Sequence, residues 1–355
     1  MKTALKKLLA ATAVMSMTTV AHAQFRMIVP QGPGQGTSVW ASIIAKHLER
    51  HLGESIVIQH IPGAKDIPGF NEFHNRLRHN DKTIMVSHGG NGVSFLVDRV
   101  DYDYSQYDSI GMQNLNIVLG RKADLDVKTG AVRIGGGSGL EPDGMAVAML
   151  VCGNLPAAKD YLDCWRQRVT WVNGIPGAER RLAFMRGELN TTRETTVAWF
   201  RFYTTMTENQ LWFHHGVYEL ATGKVIDDPN FPRGFTFQDQ FRRLHGAAPR
   251  GEFYEAYLLS RSFRDVLQKA LWVNKGNPHT ERLRAALQKM ITDPEASAAL
   301  EADTGKYEWI IGDQGNRVVN TLRRDVTEKK LQTLVWWHDN AYGFKSEFKP
   351  QLVIK

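Results

Sequence analysis

The sequence predicts an α/β chain, and three observations predict it. Short β-branched runs alternate with segments of helical periodicity, glycine-rich loops follow the strand-like runs, and capping residues with prolines open the late helices. Phe25–Val29 reads as the first strand, and "QGPGQG" places three glycines and a proline directly after Pro30. Val39–Leu52 reads as a helix with Trp40, Ile44, Leu48 and Leu52 on one face; Thr37 or Ser38 is its expected N-cap and Gly53 its stop. Ser55–Ile58 reads as a second strand, followed by the turn "HIPGAKDIPG". Thr83–Val86 reads as a third, running into "SHGGNG". Ile117–Gly120, Val132–Ile134, Val169–Val172 and Leu271–Val273 complete the strand-like runs, with "GGGSGLEPDG" after the second of these. In "NPHTERLRAALQKMI", Asn277 is the expected cap, Pro278 lies in the first turn, and Leu283, Leu287 and Met290 share a face. Asp293-Pro294 repeats the device. Alternation of this kind implies βαβ units and a parallel sheet, whose loops gather at the carboxyl edges of the strands.

The first residues read as a cleaved export signal: Lys2, Lys6 and Lys7, an apolar stretch from Leu8 to Val20, and the small-residue site Ala21-His22-Ala23. The chain of 355 residues carries a formal charge of +7; without those three lysines it carries +4. The remaining basic residues are scattered, which excludes a nucleic-acid footprint and leaves mild steering of acidic small molecules. Cys152 and Cys164 are the chain's two cysteines. An oxidising compartment allows them to pair, with a stabilisation of about 3 kcal/mol, or they remain two buried thiols. The aromatic stretch "TVAWFRFYTTMTENQLWFHHGVYEL" reads as core and domain-packing surface rather than a ligand wall.

Glycine loops let backbone N–H groups approach an anion, and a following helix adds its positive end. The chemistry beyond that is bounded by motifs that fail. The first loop lacks the third glycine of a dinucleotide fingerprint, and the second strand runs into Gln59-His60, where an acid should take a ribose. No Gly-Lys-Ser/Thr follows any glycine loop. His88-Gly89-Gly90 resembles an oxyanion-hole loop, but Ser138 has Leu140 where a nucleophile elbow needs glycine. The stretch "DYDYS" lacks the later glycine and glutamate of a calcium loop, and adjacent His214 and His215 diverge on any regular element. Neither a metal nor a cofactor is implied.

The collinear segments "IVPQGPGQGTSVWASIIAKHLERHLGESIVIQHIPGAKDIPG", "DKTIMVSHGGNGVSF", "VDYDYSQYDSIGMQNLNIVL", "VRIGGGSGLEPDGMAVAML", "VTWVNGIPGAERRLAFMRGELNTT" and "ALWVNKGNPHTERLRAALQKMITDPEASAAL" cover nearly the whole mature chain. In that order they resemble the solute receptors of tripartite tricarboxylate transporters, the Bug or TctC-type periplasmic binding proteins. The resemblance implies an α/β, two-domain type II periplasmic-binding-protein fold with a ligand cleft between domains. It implies domain 1 over residues 24–119 and 267–355, and domain 2 over 120–266. It implies a periplasmic receptor, not an enzyme, that captures a small carboxylated molecule and docks on membrane permease subunits. Carried over by position, the first loop supplies Gln31, Gly32, Gly34, Gly36, Thr37 and Ser38, and the second Gly63, Ala64 and Lys65. His88, Gly89 and Asn91 follow the third strand. Ser138, Gly139, Glu141 and Asp143 match the second domain's small-residue loop, and Asn173 and Gly174 its next turn.

The departures are chemical. The family's aspartate after the first loop is Ser38 here, its paired glycines are Lys65 and Asp66, and acids replace small residues at Glu141 and Asp143. Lys65, His60 and His88 can supply positive charge, while Glu141 and Asp143 can read an amine or hydroxyl. Two other function classes stand beside the receptor: a periplasmic hydrolase using Ser138 or Ser87 with a histidine, and a sensor that signals instead of feeding a permease.

Overall fold

The computed structural model describes residues 24–136, 142–175, 177–219, 222 and 224–353. Strand β1 (Phe25–Val29) runs through the glycine loop into α1 (Gly36–Leu52). The helix opens at Gly36, with Gln35 as N-cap, so Thr37 and Ser38 lie in its first turn and do not cap it. The reason is an acceptor outside the helix: Gln31 Oε1 takes the Thr37 N–H at 3.1 Å. Gly53 ends α1 at φ 70°, and its N–H returns to Glu49 O. Next come β2 (Ile56–His60), α2 (Ile67–Asn75), β3 (Thr83–His88), α3 (Gly89–Val97) and β4 (Tyr107–Gln113).

The chain then crosses at Asn114–Asn116 into a second lobe. It begins with β5 (Ile117–Lys122), β6 (Val132–Gly135), α4 (Asp143–Cys152), α5 (Ala158–Arg168) and β7 (Val169–Val172). There follow α6 (Gly177–Met185), β8 (Thr191–Thr195), α7 (Thr196–Phe202), β9 (Asn209–His214) and the hairpin of β10 (Val217–Glu219) with β11 (Lys224–Ile226). Helices α8 (Phe237–His245) and α9 (Glu252–Val266) lead back to the first lobe. There lie β12 (Lys269–Asn274), α10 (Thr280–Thr292), α11 (Pro294–Thr304), β13 (Trp309–Ile311), α12 (Asp313–Arg324) and α13 (Glu328–Tyr342). Strand β5 pairs with β8 and β9.

The first-lobe sheet has the order β13-β4-β12-β3-β1-β2. Strands β1, β2 and β3 are parallel, as the alternation predicts, but β12 runs antiparallel to both β3 and β4, and β13 antiparallel to β4. The sheet is mixed because β4 leaves for the second lobe at the edge where β12 returns, and neighbours that share that edge must run in opposite directions. The second lobe has an antiparallel sheet in the order β8-β5-β9 and a parallel pair, β6 with β7.

Packing follows the apolar patterns. Trp40, Ile44 and Leu48 of α1 are fully buried together with Leu283, Leu287 and Met290 of α10, on one side of the first sheet. Helix α10 starts later than expected, with His279 at its N-cap; Asn277 serves the preceding turn, its Oδ1 accepting the His279 N–H at 2.8 Å. Asp293 caps α11 as expected, accepting from Glu295 N at 2.9 Å. Cys152 at the end of α4 and Cys164 in α5 form a disulfide. In the aromatic stretch Trp199, Tyr203, Trp212 and Phe213 are core residues, while Phe200 is exposed. Helix α13 packs against α9 and α5 as well as α3, so it bridges the lobes. The tail beyond it returns to the first lobe, where Glu347 N donates to Val97 O at 2.6 Å and Lys349 Nζ to Phe95 O at 2.9 Å. Among the described residues no helix is long and apolar enough to cross a membrane.

Candidate functional site

Strands β1, β2 and β3 point the same way, so their following loops meet at one edge of the sheet. Side chains knit them together. His60 Nδ1, at the end of β2, lies 2.8 Å from the Gln31 carbonyl, to which it donates. Gln31 Nε2 donates to Asp66 Oδ2 at 3.0 Å, and the same oxygen lies 2.9 Å from His88 Nδ1. Gly90 N is 3.2 Å from that ring nitrogen. A proton on Nδ1 serves the carboxylate, whereas a bare Nδ1 serves the amide. Asn91 closes the ring: its Oδ1 takes the His88 N–H at 3.0 Å, and its Nδ2 donates to Asp66 O at 2.8 Å.

The second loop is held in an unusual shape. Lys65 and Asp66 have φ of 56° and 60°, consecutive side-chain-bearing residues in the left-handed region. That conformation costs about 1–2 kcal/mol per residue where no glycine relieves it. The paired glycines expected of this turn would adopt it freely. The Lys65 ammonium turns to Asp98 Oδ1 at 2.6 Å and sits 4.2 Å from the centre of the Phe344 ring. Lys65 thus meets the strap that follows α13.

Behind the first loop lies a buried cation. Lys269, in register with His88 on one side and Gln113 on the other, donates from Nζ to Thr37 Oγ1 at 2.8 Å. Burial lowers its pKa to about 7, against the opposing pull of Asp303 and Asp66. Gln113 accepts from Trp40 Nε1 at 3.0 Å, which fixes α1 over the same edge.

The expected residues therefore divide. Gln31, Thr37, Lys65, His88 and Asn91 are brought together by the contacts above. Ser38 is buried in the first turn of α1, and Gly32, Gly34, Gly36, Gly63 and Ala64 form the rim. Gly34 needs its glycine, with φ 79°. Gly89 is glycine for packing: a side chain there would strike the Gln268 amide and the Arg264 carbonyl of the segment entering from α9. In the second lobe Asn173 and Gly174 lie exposed after β7, and Asn173 Nδ2 donates to Tyr342 O at 3.3 Å. Ser138, Gly139 and Glu141 lie outside the described residues.

Asp143 has no exposed surface. Its carboxylate is clasped by Arg193 Nε and by His215 Nε2, the latter at 2.6 Å, and His215 Nδ1 lies 2.7 Å from Tyr257 Oη. Burial alone would raise its pKa; Arg193, His215 and Arg264 overcome that and hold the carboxyl far below the carboxylate range. Asp143 is thus turned into a buried charge network. His214 and His215 are both fully buried and face different partners, as their adjacency predicts, and among the described residues no group of histidines, cysteines and acids can hold a metal. Ser87 is fully buried as well, with Oγ donating to Leu267 O at 3.1 Å and accepting from Trp272 Nε1 at 3.0 Å, so it is placed for packing.

Asp66 and Lys269 are the residues that sequence reasoning left out of the site. A lysine opening the apolar run "KALWVN" is the signal for the second. The first stands where a glycine was expected, which is itself a signal.

Two lobes joined by two crossings, with strand-end loops at the junction, can be compared with known structures. BugD, a periplasmic binding protein, superposes with a TM-score of 0.56 at 13% identity over 90% of this chain and 97% of its own. The chain has the fold of the Bug/TctC solute-binding proteins. A TctC solute-binding protein from Polaromonas gives 0.54 at 15% identity, covering 90% and 98%, and MatC from Rhodopseudomonas palustris with bound malate gives 0.51 at 14%, covering 89% and 98%. No family model and no curated protein matches the chain by sequence.

Proposed function

We propose that this chain is an extracytoplasmic solute-binding protein that captures a small carboxylated organic molecule for a tripartite tricarboxylate-type permease. The observation that carries the reading is the convergence of Gln31, Asp66 and His88 from three parallel strand ends onto one point at the lobe junction. The polar groups described there are hydrogen-bond donors and acceptors, which suits holding a bound group. The shared fold with malate-bound MatC supports a cleft that takes small acids. The two crossings, at Asn114–Asn116 and Leu267–Gln268, are the natural pivots, and closure follows where the solute binds the closed lobes better than the open ones. Residues 1–23 are assigned to export. Permease rather than sensor is chosen on the fold class.

Thermal unfolding against a panel of organic acids and amino acids tests the proposal. A specific solute at a hundred times its Kd adds about 2.7 kcal/mol, a few degrees for a chain of this size. Recovery of the solute unchanged establishes capture. Recovery of an altered compound overturns it in favour of catalysis.

A further inference from the structure

We propose that Asp66 determines the specificity of the cleft: its carboxylate fills the first lobe's anion cradle from within and presents its second oxygen to the protonated amine of the solute. The inference rests on the receptor reading above and names the chemistry of one end of the bound molecule.

The cradle is built from donors. Gln31 Nε2 and His88 Nδ1 reach the same point at 3.0 and 2.9 Å, and at that point stands Asp66 Oδ2. A free carboxylate seeking this end of the cleft finds its partners taken, and meets a like charge besides. The arrangement is held at a cost, since Asp66 and Lys65 both sit in the left-handed region. It is also anchored in the backbone, because Asn91 Nδ2 donates to Asp66 O at 2.8 Å. The carboxylate is therefore set in place before any solute arrives.

At hydrogen-bond range its carboxylate meets one ionisable partner, His88 Nδ1 at 2.9 Å, and among the described residues no lysine or arginine is bonded to it. Gln31 is neutral. The neighbouring ammonium of Lys65 is drawn off to Asp98 at 2.6 Å. The ammonium of Lys269 is directed to Thr37 Oγ1 at 2.8 Å. Both side-chain contacts of Asp66 fall on Oδ2, which leaves Oδ1 to the cleft side, and the side chain is 20% exposed. An accessible carboxylate oxygen, fixed in direction by contacts that all fall on the other oxygen, is complementary to an ammonium group. It discriminates against the same molecule without the amine, because the buried side of the cleft then keeps an acceptor unpaired.

The test uses matched pairs on the purified full chain: amino acids and short diamines, each against its deaminated counterpart, such as aspartate against succinate and glutamate against glutarate. Binding is read by calorimetry for the wild type, Asp66→Asn and Asp66→Gly. Asn keeps an oxygen for Gln31 and His88, and Gly suits the positive φ, so both variants retain the loop. The expected result is at least a tenfold preference of the wild type for the amine-bearing member. Asp66→Asn should lose that preference, and Asp66→Gly should gain affinity for the deaminated acid. Equal or tighter binding of the deaminated acid by the wild type, unchanged in both variants, overturns the role of Asp66 while leaving the receptor standing. No binding by any member of either set, in any of the three proteins, overturns the receptor reading and this inference with it.

Discussion

Acidification should destabilise this protein through His338, by an amount that the structure sets. The ring lies on α13 with no exposed surface, and neither nitrogen has a hydrogen-bond partner among the described residues. Burial, and after it the Lys65 ammonium, lowers its pKa from 6.5 to about 3. The sign follows from the proton count. The unfolded chain takes up a proton near pH 6.5, and the folded chain refuses it until about pH 3. Above pH 6.5 the group carries no penalty. Below it, stability falls by about 1.4 kcal/mol per pH unit until the folded pKa is reached. Between pH 7.5 and 5.0 the loss amounts to about 2 kcal/mol. The perturbation is His338→Phe, a flat apolar replacement against the Tyr342 ring 5.5 Å away. Urea unfolding at the two pH values gives one difference for each protein. A general effect of the substitution cancels within each difference, and the pH responses of His214 and His215 are common to both proteins. The variant should lose about 2 kcal/mol less than the wild type over this interval. If it loses as much as the wild type, the ring is not neutral and buried as described, and the reasoning fails.

Three further outcomes are expected. Opening the Cys152–Cys164 loop, whose ends are 12 residues apart, by Cys152→Ala with Cys164→Ala should cost about 3 kcal/mol and lower Tm by about 4 °C, read by calorimetry without reductant; a shift under 1 °C counts against it. Asp143→Ala leaves Arg193 buried without its carboxylate and should cost about 3–5 kcal/mol in urea unfolding, whereas an effect below 1 kcal/mol would mean that the network is not closed. Gly89→Val drives a side chain into the Gln268 amide and the Arg264 carbonyl and should cost at least about 2 kcal/mol, with Gly34→Val, whose Cβ meets nothing, as the comparison for backbone strain alone.

Much of the first lobe was legible because its signals are local. The Trp40–Leu52 stripe, the Gly53 stop and the Asp293-Pro294 cap each lie within one turn of the backbone they organise. Strand direction was not legible. Strand β12, "KALWVN", is buried on both faces, and an apolar run carries no mark of whether its neighbour runs with it or against it. Its partner at Gln113 is distant in sequence. The start of α1 misled for the same reason at shorter range: Thr37 and Ser38 have the chemistry of caps, but Gln31 supplies the acceptor and Lys269 claims the Thr37 hydroxyl. In the site, the glycine loops announced themselves, whereas the fate of each charge did not. Asp143 reads as an acid in a ligand loop until Arg193 and His215, brought in by β8 and the end of β9, close on it.

The same contacts tie the cleft to the helix that spans the lobes. Asp66 is joined to Asn91 through its carbonyl and to His88 through its carboxylate; His88 caps α3 and Asn91 lies in its first turn. That turn lies against the end of α9 with no room for a side chain at Gly89 or Gly92, where Arg264 O and Phe263 O come within van der Waals reach. Helix α9 then carries Arg261 and Arg264 into the pair with Asp265, directly ahead of the second crossing. Close-packed elements transmit displacement because they have no slack to absorb it. A solute that pulls on Asp66 therefore loads α3 and α9 together, at the point where the second lobe joins the first. A solute held only by the exposed rim glycines would load neither. The positive-φ pair at Lys65 and Asp66 thus has two consequences from one backbone shape: it aims a carboxylate into the cleft, and it couples that carboxylate to the pivot.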